Sequence, residues 1–160
     1  MPGSHFTPGE IVERLDLLIS SAPAEVPPDL PLPPISGQPE WYAFEHRVWS
    51  EGEGLRVVLA RSAHLKKDPL VLDGIVRVLE CRGFRRGRQA FALLLAHRAA
   101  QAVVSRLLPL LSDPDIGSHV VSALVKMRAP ALRRHLEPFA ESPHAWVRRL
   151  ARSYLARPEA

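Results

Sequence analysis

Shifted by 29 residues, the last third of this chain superposes on itself: Leu107 falls on Leu136, Pro109 on Pro138, Leu110 on Phe139, Pro114 on Pro143, Val121 on Leu150, Ser122 on Ala151 and Val125 on Tyr154. Each pair is alike in size or role, and the two prolines of each copy stand five residues apart. A third, weaker copy begins 45 residues earlier, where Asp68-Pro69 answers Asp113-Pro114, Val76 answers Val121 and Leu79 answers Leu124. The 16 residues that separate the two spacings fall between Cys81 and Ala102. A unit of about 30 residues made of two short helices cannot bury its apolar face alone, so units must stack on their neighbours. The repeat therefore predicts an all-α chain, a short α-solenoid of antiparallel helix pairs.

The boundaries of those helices are written in caps and prolines. Thr7-Pro8-Gly9-Glu10 is a capping box with proline at the first helical position, followed by Ile11, Val12, Leu15, Leu18 and Ile19 at helical spacing, and Pro23 ends the helix near Ser21. A further helix is expected to begin around Leu55 and to close at Lys66 and Lys67. Asp68-Pro69 starts the next, with Leu72, Ile75, Val76 and Leu79 as its buried face, and Arg82-Gly83-Phe84 stops it. From about 88 to 111 the periodicity continues, either as one long helix or as two with a tight break near His97 to Ala100, of which the break is the preferred reading.

Seven of the 16 prolines lie between Pro23 and Pro39, with Leu30, Leu32 and Ile35 among them. Fixed φ angles and missing donors predict an extended strap lying against the helices. Glu40 to Ser50 is expected to form a helix rich in aromatic residues. Five of the chain's ten aromatic side chains, Phe6, Trp41, Tyr42, Phe44 and Trp49, fall in the first third. They either seal the open end of the stack or form an interface hot spot. The expected organisation is one compact unit overall, in which 1–53 is an N-terminal helix, proline-rich strap and aromatic capping helix, and 54–160 holds the repeats, with Gly52 and Gly54 as turn residues between them.

The segments Leu-Pro-Leu-Leu-Ser-Asp-Pro-Asp at 108–115 and Val-Arg-Arg-Leu-Ala-Arg-Ser-Tyr-Leu at 147–155 resemble HEAT or HEAT-like repeats, a likeness that extends over roughly 55–157. It implies a right-handed solenoid. It also implies that the arginine after the helix valine, here Arg148, reaches the turn aspartate of the neighbouring repeat, here Asp113. The unit around Pro114 departs from the family pattern, carrying Ser118 and His119 in place of the Val-Arg pair. Pro109 and Pro138 stand closer to the following turn than the family places them, which implies a shortened or kinked helix.

Function is less constrained. The net charge is +4, carried by 18 arginines and three lysines, an ordinary charge for solubility in which the arginine bias favours planar contacts to carboxylate or phosphate. The histidines, 5, 46, 64, 97, 119, 135 and 144, are scattered without the i, i+4 pairs or cysteine partners of a zinc site, so no metal is expected. Cys81 is the only cysteine, which excludes an intrachain disulfide and predicts a buried structural thiol in a reducing, cytoplasmic setting. No apolar run approaches the roughly 20 residues of a membrane span. No catalytic constellation and no cofactor-binding motif is found.

Two arginine groups stand out, Arg148, Arg149 and Arg152 on the last helix, and Arg82, Arg85, Arg86 and Arg88 in one loop. The loop group, with Trp41, Tyr42 and Trp49, is the expected partner-binding surface. The function expected is a non-catalytic protein-binding scaffold or adaptor, in one form a small inhibitor or immunity-type protein, whose partner presents an acidic surface. The alternative is nucleic-acid binding in the manner of HEAT-like DNA alkylation repair glycosylases, which Val147-Arg148-Arg149 resembles, although Trp146 has no acidic residue at helical spacing beside it.

Overall fold

The computed structural model describes residues 6–31 and 40–158, and every regular element among them is helical. The part of the strap at 32–39, with Leu32 and Ile35, lies outside the described residues. Packing divides the chain into two compact units, Met1–Phe91 and Ala92–Ala160.

In the first unit, α1 (Pro8–Ser20) opens on the expected capping box: Glu10 N–H donates to Thr7 Oγ1 at 3.2 Å and Thr7 N–H donates to Glu10 Oε2 at 2.7 Å. Its buried residues Ile11 and Leu15 pack on α4 (Pro69–Glu80), where Gly74 leaves the space that Leu15 fills. The start of α4 is as expected, Asp68 Oδ1 accepting from Leu70 N–H at 2.9 Å and Val71 N–H at 3.2 Å, and Leu72, Ile75, Val76 and Leu79 are all buried. Arg77 ties the two helices, donating to Asp16 at 2.6 Å and to Asp73 at 2.9 Å.

The chain between them is cut differently from the expectation. A single helix, α2 (Ala43–Ala60), runs through Gly52 and Gly54, and a separate short α3 (Ala63–Lys67) precedes Asp68. Gly52 is no turn residue: it is buried where α2 meets Ala90 and Phe91, and a Cβ there would stand 2.7 Å from the Ala90 Cβ. The absent side chain serves close approach, which sequence spacing does not distinguish from a turn. A boundary at 53/54 thus falls inside a continuous helix, and the division by packing comes instead at 91/92.

After α4 the chain makes two short 3-10 turns within Arg82–Arg88, separated by a kink at Arg85 (φ 51°, ψ −131°), and then α5 (Gln89–Leu94). The expected break follows, with His97 extended at φ −150° and ψ 155°.

In the second unit the 29-residue period reappears in the elements. The helix α6 (Val104–Leu107), the 3-10 turn Leu108–Ser112 and α7 (Gly117–Met127) are repeated as α8 (Arg133–Leu136), the 3-10 turn Glu137–Glu141 and α9 (Ala145–Leu155). Leu107 and Leu136 are both buried, as are Ser122 and Ala151. Pro109 and Pro138 sit at the start of the 3-10 turns and shorten the first helix of each copy to four residues, because proline lacks the N–H that an α-helix would need next. The 45-residue match is looser: Asp68 caps α4 directly, whereas Asp113 Oδ1 accepts from Asp115 N–H at 2.9 Å in a turn ahead of α7. The bridge from Arg148 to Asp113 is replaced by a local one. Arg148 Nη1 donates to the carbonyls of Ser142 at 2.7 Å and Pro143 at 3.2 Å, the turn of its own copy.

Candidate functional site

The arginine loop and the aromatic residues near 40 do meet, but largely to hold the first unit together. Arg88 is fully buried, donating from Nε to Arg85 O at 2.8 Å and from Nη1 to Leu79 O at 2.7 Å. Arg85, held at φ 51°, turns its guanidinium inward to the strap, donating to Pro28 O at 3.0 Å and to the Asp29 carboxylate, over the Tyr42 ring. Tyr42 completes the latch, its hydroxyl donating to the same Pro28 carbonyl at 2.7 Å. Arg86 lies over Trp41 with its guanidinium 5.4 Å from the ring centre, donates to Glu40 O at 2.8 Å, and pairs with Glu45 at 3.4 Å.

Glu45 is the hub of this arrangement. Its buried carboxylate accepts from Tyr42 N–H at 2.7 Å and from Arg86 N–H at 3.1 Å besides the guanidinium. Gly87 allows the contact, since a Cβ there would stand 2.7 Å from Glu45 O. The acidic partner of the loop is thus the chain's own Glu45 and Asp29. Arg85 and Arg88 are removed from any external surface, Arg86 is mostly covered, and only Arg82 and Trp49 of the expected set stand exposed. Nothing in the local sequence gives the direction in which a short arginine run turns. Cys81, beside this loop, is half-buried, and burial pushes its thiol pKa up.

A different surface has the features of a binding site. On the second unit, His119, Ser122 and Lys126 of α7 and Trp146, Arg149 and Leu150 of α9 line a groove of about 460 Å³ together with Leu93. The spacings i, i+3, i+7 on α7 and i, i+3, i+4 on α9 put each set on one helix face. Trp146 is 38% and Leu93 39% exposed, high values for large apolar side chains. The His119 ring meets Trp146 edge-on at 5.5 Å between centroids, and burial holds the imidazole pKa below its usual range.

Lys126 and Arg149 make no hydrogen bond or ion pair among the described residues, so their charges are uncommitted. No acidic side chain lines the groove. The sequence carried a signal for this face: from Val120 to Met127 only Ser122 and Lys126 are polar, and they follow His119 at helical spacing. It is legible only once α7 and α9 are known to be neighbours.

Among the described residues no three His, Cys, Asp or Glu side chains stand close enough to hold a metal ion, and no helix is long and apolar enough to cross a membrane. Comparison with protein-family models, with curated proteins and with solved structures finds no match to this chain.

Proposed function

We propose that this chain is a non-catalytic protein-binding module, a small scaffold or adaptor built on stacked helical repeats, which holds a segment of another protein in the groove between α7 and α9. The segment carries an apolar side chain, seated against Trp146, Leu93 and Leu150, and a neighbouring carboxylate that meets Lys126 or Arg149. The observation that supports this is the pairing in one groove of two exposed apolar side chains, Trp146 and Leu93, with two uncommitted cations. Covering the exposed part of Trp146 and Leu93 contributes a few kcal/mol at about 25 cal/mol per Å², and a charge-assisted hydrogen bond adds about 1.5–3 kcal/mol. After the cost of association the sum corresponds to binding of micromolar class, appropriate to an interface this small.

Nucleic acid is the weaker reading, because a backbone path calls for a run of cations and the groove offers two. A displayed peptide library panned against the parent chain, with a Trp146→Ala/Arg149→Glu double variant as the counter-screen, tests the proposal. Enrichment of sequences pairing an apolar residue with an acidic one, lost with the variant, supports it. No enrichment, or instead retention of single-stranded DNA with a steep salt dependence that the variant abolishes, overturns it.

A further inference from the structure

A second hollow in the same unit has a different chemistry. It measures about 520 Å³ and is lined by Arg128 to Arg133 together with Tyr154, Arg157 and Pro158, where α7 and α9 both end. Three of these side chains, Arg128, Arg133 and Arg157, are guanidinium groups, and none of the described residues around it is acidic.

The ordinary explanation for cations at helix C-termini is that they meet the orphan carbonyls and the negative end of the dipole. Here Gln101 and Arg133 fill that role, and Arg128 and Arg157 do not. The last carbonyls of α7, Met127 O and Arg128 O, accept from Gln101 Nε2 at 3.0 and 3.1 Å. Those at the end of α9, Leu155 O and Arg157 O, accept from Arg133 Nη2 at 3.0 and 3.2 Å. The guanidinium groups of Arg128 and Arg157 are left with no hydrogen-bond or ion-pair partner among the described residues, and Arg157 lies over the Tyr154 ring at 5.8 Å.

The backbone beneath them is both rigid and strained. Tyr154 pins it, its hydroxyl donating to Ala129 O at 2.7 Å and accepting from Leu132 N–H at 3.2 Å. Arg128 at φ 55° and Ala131 at φ 57° both occupy the left-handed region, where glycine fits without steric cost. Strain of this kind clusters at binding sites. An arginine held where glycine would be more stable points to work done by its side chain.

We infer that this hollow binds a small phosphorylated molecule. The guanidinium groups of Arg128 and Arg157 take the phosphate oxygens, since a guanidinium fork matches phosphate geometry. Pro130, Ala131 and Pro158, which line the hollow and are exposed, supply an apolar wall for an organic body larger than the anion.

The test uses inorganic phosphate and phenyl phosphate as probes, titrated calorimetrically into the parent chain at constant ionic strength with chloride as the control, against Arg128→Gly and Arg157→Gln. Saturable binding is expected, tighter for phenyl phosphate. Arg128→Gly should raise the melting temperature, by relieving the left-handed strain, while weakening binding about tenfold or more, the loss of one charge-assisted contact. A purely structural Arg128 would show the first effect without the second. Binding unchanged in Arg128→Gly, or a parent response that only tracks ionic strength, overturns the inference.

Discussion

Replacing Glu45 with alanine should be among the most damaging single changes in the first unit. Its carboxylate is 0% exposed and serves three donors at once: Tyr42 N–H at 2.7 Å, Arg86 N–H at 3.1 Å and Arg86 Nε at 3.4 Å. Alanine strands two backbone donors and takes the carboxylate away from a guanidinium that is 15% exposed, which keeps its hydrogen bond to Glu40 O. Loss of the capping contact costs about 1 kcal/mol, and a buried donor left unsatisfied costs about 1–3 kcal/mol. The total should resemble removal of one partner from a buried ion pair, about 3–5 kcal/mol. With 2–4 °C lost per kcal/mol in a chain of this size, the melting temperature should fall by roughly 10–15 °C. Glu45→Gln should lose about half as much, since it keeps one acceptor but turns an amide donor toward the other N–H groups. Urea unfolding followed by circular dichroism at 222 nm measures both, and a cycle with Arg86→Met isolates the pair. A Glu45→Ala chain within about 1 kcal/mol of the parent would refute the view that this carboxylate joins α2 to the arginine loop.

Two further outcomes follow from packing and titration. Gly87→Ala forces a Cβ to within 2.7 Å of Glu45 O and 2.9 Å of Val48 Cβ, so it should destabilise by about 1–3 kcal/mol; an unchanged urea midpoint would show that this approach is not tight. Burial holds the folded His119 pKa below the ordinary histidine value of 6.5, so the unfolded chain takes up this proton first. The stability linked to His119 is full above the unfolded pKa, falls as the pH drops through it, and levels off below the folded pKa. His119 faces Trp146, Ser122, Lys126 and Arg149 with no acidic neighbour in the groove, so His119→Gln should flatten the acid side of the stability profile, and identical profiles would exclude this effect.

The repeat was the most legible part of the fold because two copies in one chain carry their own comparison. Like residues at 107 and 136, or 109 and 138, mark equivalent elements, and the structure repeats α6, its 3-10 turn and α7 at that offset. Caps were legible for a similar reason: Thr7 with Glu10, and Asp68 with Pro69, act within one turn of chain. Features that depend on contacts distant in sequence were misread. Gly52 resembles a turn glycine until Ala90 and Phe91 are placed against it, and Arg85 to Arg88 resemble an exposed run until Pro28, Asp29 and Glu45 are brought to them. The polar spacing on α7 hints at the candidate groove but does not locate it, since Trp146 gains its meaning from His119 and Lys126 on the neighbouring α7.

Binding of a protein segment by the α7 and α9 face can be read by mapping a peptide enriched on the parent chain onto backbone and indole NMR shifts. Perturbations should concentrate at His119, Ser122, Lys126, Arg149 and the Trp146 indole, and replacing the peptide's carboxylate with an amide should weaken binding about tenfold. Perturbations centred on Arg82 and Trp49, or spread evenly over the second unit, would contradict binding at this face.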